Sequence, residues 1–89
     1  MVKYRANYYW KYYIERFTIE KESTNFVWPI AKKGRKEAKH SRGIEICDSF
    51  DEAKNFLIAE IKNKINSYMK DIACLEKSLS EVREMEDEA

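Results

Sequence analysis

The stretch that most constrains this chain runs from Ser49 to about Asp87 and contains neither Gly nor Pro. With no residue in it that ends a helix, the spacing predicts one long helix, with everything upstream as its base. Its start is marked. Ser49 is followed three residues later by Glu52, the pairing in which a Ser hydroxyl and a Glu carboxylate satisfy orphan backbone N–H groups. Asp51 and Glu52 also place negative charge in the first turn, where the helix dipole favours it. Two apolar registers follow. Phe50, Ala53, Phe56, Leu57 and Ile61 make a stripe broad enough to cover a sheet. Ile58, Ile61, Ile65, Tyr68, Ile72, Leu75, Leu79 and Val82 then fill every a and d position of four consecutive heptads.

A helix of roughly 38 residues is about 57 Å long at 1.5 Å per residue. A compact chain of this size has a radius of gyration of only about 12 Å. The distal half is therefore expected to project beyond its own sheet with the seam uncovered. Two arrangements would cover it: burial against another chain, with a homodimer as the first expectation, or a long hairpin of the same chain lying beneath it. Ile at a with Leu or Val at d suits a parallel dimer. Parallel in-register pairing, however, forms no attractive g-to-e pair and sets Asp71 against Glu76 of the other chain. Antiparallel pairing, or docking on a sheet or a target, stands beside it.

Composition bears on the base. The 89 residues are 44% hydrophobic and 13% aromatic, which describes one folded domain over 1–89 with little core to spare. No apolar run reaches membrane-span length, and the N-terminus lacks the apolar core and cleavage site of a signal peptide. Cys47 and Cys74 form neither a metal nor a redox spacing, so reduced thiols are expected. The net charge of +1 conceals a polarity: 11 Lys/Arg against 4 Asp/Glu in residues 1–43, and 6 against 12 in residues 44–89. The chain has a basic head and an acidic tail.

Taken in order, the aromatic density around Tyr8 to Tyr13 and on to Lys21 predicts a first strand. After a polar turn at 22–25, Phe26 to Ala31 predicts a second, with Phe26, Trp28 and Ile30 facing inward and Pro29 at an edge or strand end. Residues 32–43 form a basic loop with room for a short strand near Lys36 to His40, and Ile44-Glu45-Ile46 gives a third strand. The expected fold is α+β in β-β-β-α order. It has a small three-stranded antiparallel sheet over 1–47, then one long C-terminal helix over 49–87 with coiled-coil character.

Catalytic chemistry finds little support. His40, the only histidine, has just Glu37 near it in the loop, too few partners for a general base or a metal ligand. Gly34-Arg35-Lys36 lacks the glycine spacing and the Gly-Lys-Ser/Thr ending of a phosphate-binding loop. Ser41 has no base at motif distance, and Ser49 is accounted for by capping. The expectation is a protein that is not an enzyme and carries no cofactor or metal. The basic loop carries more. Lys32, Lys33, Arg35, Lys36, Lys39 and Arg42, with aromatics nearby, are the candidate contacts to nucleic acid or an acidic partner. The plain alternative is that they keep a sheet edge soluble. The acidic end, Glu81 to Ala89, either imitates nucleic acid toward a basic groove or is a fraying helix end, since its charge opposes the dipole.

Glu20-Lys21-Glu22-Ser23, Val27-Trp28, Gly34-Arg35-Lys36-Glu37-Ala38-Lys39 with Ser41, and Asp48-Ser49-Phe50-Asp51-Glu52-Ala53-Lys54 together resemble small proteins of tailed bacteriophages. The similarity covers roughly residues 13–60 and leaves out the aromatic stretch Tyr4 to Trp10. It implies a phage origin and the cytoplasm of a bacterial host, and it transfers no active site. The expectation that follows is an accessory protein acting by binding, most naturally as an inhibitor of a host or defence protein of the CRISPR or restriction type. A nucleic-acid-binding module using 32–42, or a small virion or assembly component, are the alternatives.

Overall fold

A computed structural model describes residues 1–87. The fold is α+β, but the sheet has six strands instead of three, all paired antiparallel. These are β1 (Val2–Asn7), β2 (Tyr13–Glu22), β3 (Phe26–Pro29), β4 (Glu37–Ala38), β5 (His40–Ser41) and β6 (Ile44–Cys47), followed by α1 (Phe50–Arg83). Their order across the sheet is β4-β3-β2-β1-β6-β5. The expected three strands fail for two reasons. The aromatic run hides a hairpin: β1 precedes it, and Tyr8 to Tyr12 turn the chain with no Gly or Pro to signal it. β4 and β5, at two residues each, are too short for any periodicity to register.

The two edge strands are consecutive in the chain, and this shapes the sheet. β4 pairs with β3 at one edge and β5 with β6 at the other. Lys39 hands the segment over. Its N–H donates to the Asn25 carbonyl at 2.9 Å, and its carbonyl accepts from the Ile46 N–H at 2.9 Å. The sheet therefore curls until both edges meet on one strand, leaving few edge groups unpaired.

Curling gives the strands an inner and an outer face. Ile19, Val27 and Ile46 are buried inside, flanked by Phe17 and Ile44. On the other face Ala6, Ala53 and Leu57 form the contact with α1, flanked by Tyr4, Tyr8, Ile14, Cys47 and Phe56. Ala6 and Ala53 are both fully buried, and two methyl side chains let helix and strand approach closely. β3 is out of step with the expected pattern by one residue. Val27 and Pro29 point inward, while Phe26 and Trp28 sit half-exposed outside and Ile30 is exposed. A slip of one residue exchanges the faces of a strand. The outer rings are covered by cation stems, with Lys36 Nζ 4.1 Å from the Phe26 ring centre and Lys21 Nζ 4.7 Å from that of Trp28. Pro29 does close its strand.

The helix begins as its cap residues dictate. Ser49 Oγ accepts from the Glu52 N–H at 3.1 Å, and the Glu52 carboxylate accepts from the Asp48 N–H at 3.2 Å. It ends at Arg83, four residues short of the expected limit, with Glu84 as its C-cap; Glu88 and Ala89 lie outside the described residues. Its 34 residues amount to about 51 Å. Only Ala53 and Leu57 are buried, Phe56, Glu60 and Ile61 are half-buried, and every described helix residue from Lys62 onward is exposed. The molecule measures 73 × 25 × 21 Å with a radius of gyration of 21.1 Å, well above the compact value of about 12 Å. The helix leaves the head, and among the described residues no hairpin of the chain lies beneath it. Cys74 lies 24 residues above the first helical residue, about 36 Å from the level of the sheet, out of disulfide reach of Cys47.

Candidate functional site

The apolar seam lies where the heptads predict and is bare along its length. Ile58 is 40% exposed, Ile65 51%, Tyr68 63%, Ile72 54%, Leu75 69%, Leu79 49% and Val82 58%; Ile61 alone is half-buried. Ile58 faces solvent even where the helix is docked. It follows Leu57, which faces the head, by about 100° of helical arc. Lys64 ties the helix to the head, its Nζ 5.3 Å from the Tyr12 ring centre.

Tyr12 belongs to the hairpin loop that structure, and not sequence, brings to the helix base. Gly43 holds this loop in place. The Tyr8 N–H donates to the Gly43 carbonyl at 2.9 Å, and a Cβ on Gly43 (φ +80°) would fall 2.6 Å from that of Tyr9. Only glycine allows this approach. Tyr9 and Trp10 meet edge to face at 5.0 Å, Arg42 lies 5.5 Å over the Tyr9 ring, and Trp10 is 87% exposed. Tyr9, Trp10, Tyr13 and Arg42 line a mainly apolar cleft of about 390 Å³.

The six basic residues do not form one patch. Lys32, Lys33, Arg35 and Lys36 surround a shallow dish of about 500 Å³. Within it Lys32 pairs with Glu37 at 2.5 Å, and Lys36 lies over Phe26. Lys33, held in the left-handed region at φ +46°, and Arg35 are the cations left to the solvent there. Lys39 turns away to pair with Glu22 at 2.9 Å, and Arg42 belongs to the aromatic cleft. His40 has a carboxylate neighbour after all: the register sets it opposite Glu45, whose Oε1 is 2.5 Å from its Nδ1.

On the inner face lies an ion network that composition did not reveal. Arg5 makes a bidentate pair with Glu37 at 2.8 and 2.9 Å, contacts Glu15 at 3.2 Å and stacks on Phe17 at 4.2 Å. Asn7 donates to Glu15 at 3.0 Å. Lys3, almost fully buried, is held between Asp48 and Glu22. Burial alone would raise the Glu37 pKa, but hydrogen bonds from Arg5 and Lys32 prevail and hold it below the usual carboxylate value. Lys39, then Lys3, lower that of Glu22. The Asp48 hydrogen bond outweighs burial and raises that of Lys3. The signal available was the alternation Lys3, Arg5, Asn7 within β1, which places three polar residues on one face. The cleft of about 620 Å³ beside this network is lined by Arg5, Glu15, Phe17, Pro29, Ile30 and Lys32. Every ion in the network is already paired, which is the arrangement of a structural clasp.

Burial, then the acidic neighbours Glu45, Glu52 and Asp48, push the Cys47 thiol up, away from a reactive thiolate. Among the described residues no group of three His, Cys, Asp or Glu side chains is arranged to hold a metal ion. No helix, over the same residues, is long and apolar enough to cross a membrane. Compared with known protein families, curated proteins and solved structures, the chain shows no match.

Proposed function

We propose that this chain is a non-catalytic accessory protein of a tailed bacteriophage that works in the host cytoplasm by binding. Its task is the inhibition of a host or defence protein. The observation that carries this reading is the uncovered seam, Ile58 to Val82, on a helix that has left its own sheet. Most helical stability in a protein comes from packing an apolar face, so a partner that covers this seam stabilises the projecting half. The seam closes a homodimer, and the head, with exposed Trp10 at its loop tip, faces the target. The biological setting is taken from the resemblance of the short motifs to those of phage proteins. The test is affinity capture from bacterial lysate with wild-type protein and with Trp10→Ala, alongside plating of phage on a defence-carrying host that expresses each. One host protein retained by wild type and lost by the variant, with a matching gain and loss of plating, is the expected result. No retained protein and unchanged plating would overturn it.

A second reading, contact with single-stranded nucleic acid, draws on Lys33 and Arg35, the two cations that the dish leaves to solvent. A mobility shift at low salt that disappears on Arg35→Glu with Lys33→Glu would favour it over the first.

A further inference from the structure

We infer that the occupant of the seam is a second copy of this chain running antiparallel, in the register that sets Ile58 against Val82 of the other copy. The inference rests on the seam being the site of self-association, as proposed above, and supplies its geometry. In an antiparallel pair each a position meets a d position. This seam closes on itself without remainder: Ile58 meets Val82, Ile61 meets Leu79, Ile65 meets Leu75, and Tyr68 meets Ile72, each twice about a two-fold axis. The head leaves the approach open at Ile58 and Ile65, 40% and 51% exposed, and half-covers Ile61 between them. Covering the sixteen seam side chains removes on the order of 1,200 Å² from water, within the range of specific interfaces.

Charge selects the direction. A parallel pair stacks basic head on basic head and acidic tip on acidic tip. The antiparallel pair sets the two acidic tips at opposite ends of the arm. Along one flank Lys62 faces Glu76 twice, where the parallel pair sets Asp71 against Glu76 twice. The opposing contact is Asp71 against its own copy near the axis, a single exposed repulsion.

The experiment uses the full chain with Cys47→Ser, Cys74→Ser and Ser80→Cys, nitroxide-labelled at the new thiol. Pulsed dipolar spectroscopy and sedimentation are run on the same sample. The proposed register separates the two labels by 20 residues along the axis, about 30 Å or more at 1.5 Å per residue. Parallel in-register pairing brings them within roughly 20 Å, since paired axes lie only about 10 Å apart. A dimer with the long distance is the expected result. A dimer with the short distance overturns the orientation and leaves self-association standing, whereas a monomer overturns both. Glu76→Lys gives an independent sign: the dimer dissociation constant rises several-fold in the antiparallel arrangement and falls in the parallel one.

Discussion

The first three turns of the helix and its last five are one element with two kinds of support. Up to Ile61 the helix is held by packing, with Ala53 and Leu57 buried on Ala6 and with Phe56 and Phe50 edge-on to Tyr8 and Tyr4. From Lys62 to Arg83 every helix residue is exposed, and the heptads face water. The difference shows that an apolar stripe does not say what it will meet. The lower stripe was wide and aromatic and found a sheet; the upper one is narrow and regular and suits another helix. Head and arm should therefore respond to separate perturbations.

The largest separation is expected from Ile65→Asp with Ile72→Asp. Four charges in a two-chain seam should weaken self-association by more than about 100-fold, several kcal/mol for buried unpaired charge. Sedimentation should show a monomer. Helical circular dichroism should drop as the arm loses support, while the head's melting transition stays in place. A shared collapse of both would show that head and arm are not independent.

Leu57→Ala is the converse. Truncating a buried leucine costs about 2–4 kcal/mol. Chemical denaturation should register the loss in the head, with the dissociation constant of the seam little changed. Equal losses in both readouts would merge the two regions.

Within the head, Glu37→Gln tests whether the inner clasp is structural. It leaves Arg5 with Glu15 as its one carboxylate partner, and losing the charge of a pair this buried should cost about 2–3 kcal/mol. Because Glu22 and Glu37 have lowered pKa values, the stability they contribute is present above their ordinary value of 4.5 and lost as the pH falls through the lower folded values. Wild-type melting should therefore fall on acidification below about pH 4.5, and Glu37→Gln should flatten that slope. Lys3, with its pKa raised, contributes in the opposite sense: its stability is lost above pH 10.5 as the pH rises. The smallest effect is Ser49→Ala, about 1 kcal/mol from one lost cap, with no effect on the seam. A larger loss would mean that the cap also orders the β6-to-helix junction.

Local physics made the helix legible. Its start needs only Ser49 and Glu52, and its seam only a repeat of 3.5 residues, both set by neighbours within a few positions. The basic residues were also legible as residues, but not as a site. Lys39 and Lys32 are drawn into pairs with Glu22 and Glu37, which strand pairing brings near them. The sheet was only partly legible. Asn25, Lys39 and Ile46 meet because a two-residue strand turns from one edge to the other, and no periodicity exists over two residues. Trp10 at a loop tip was hidden for the same reason: its turn is fixed by Gly43, more than thirty positions away.

By itself, then, the sequence determined the long helix, its cap and its two apolar registers. Each of these follows from spacing along one element. Only the tertiary structure decided that the sheet curls to meet itself, that Phe26 and Trp28 lie outside, and that an Arg5–Glu37 clasp lies within. Those outcomes depend on pairing between distant strands, where a shift of one residue exchanges the faces of a strand and no local preference is strong enough to choose.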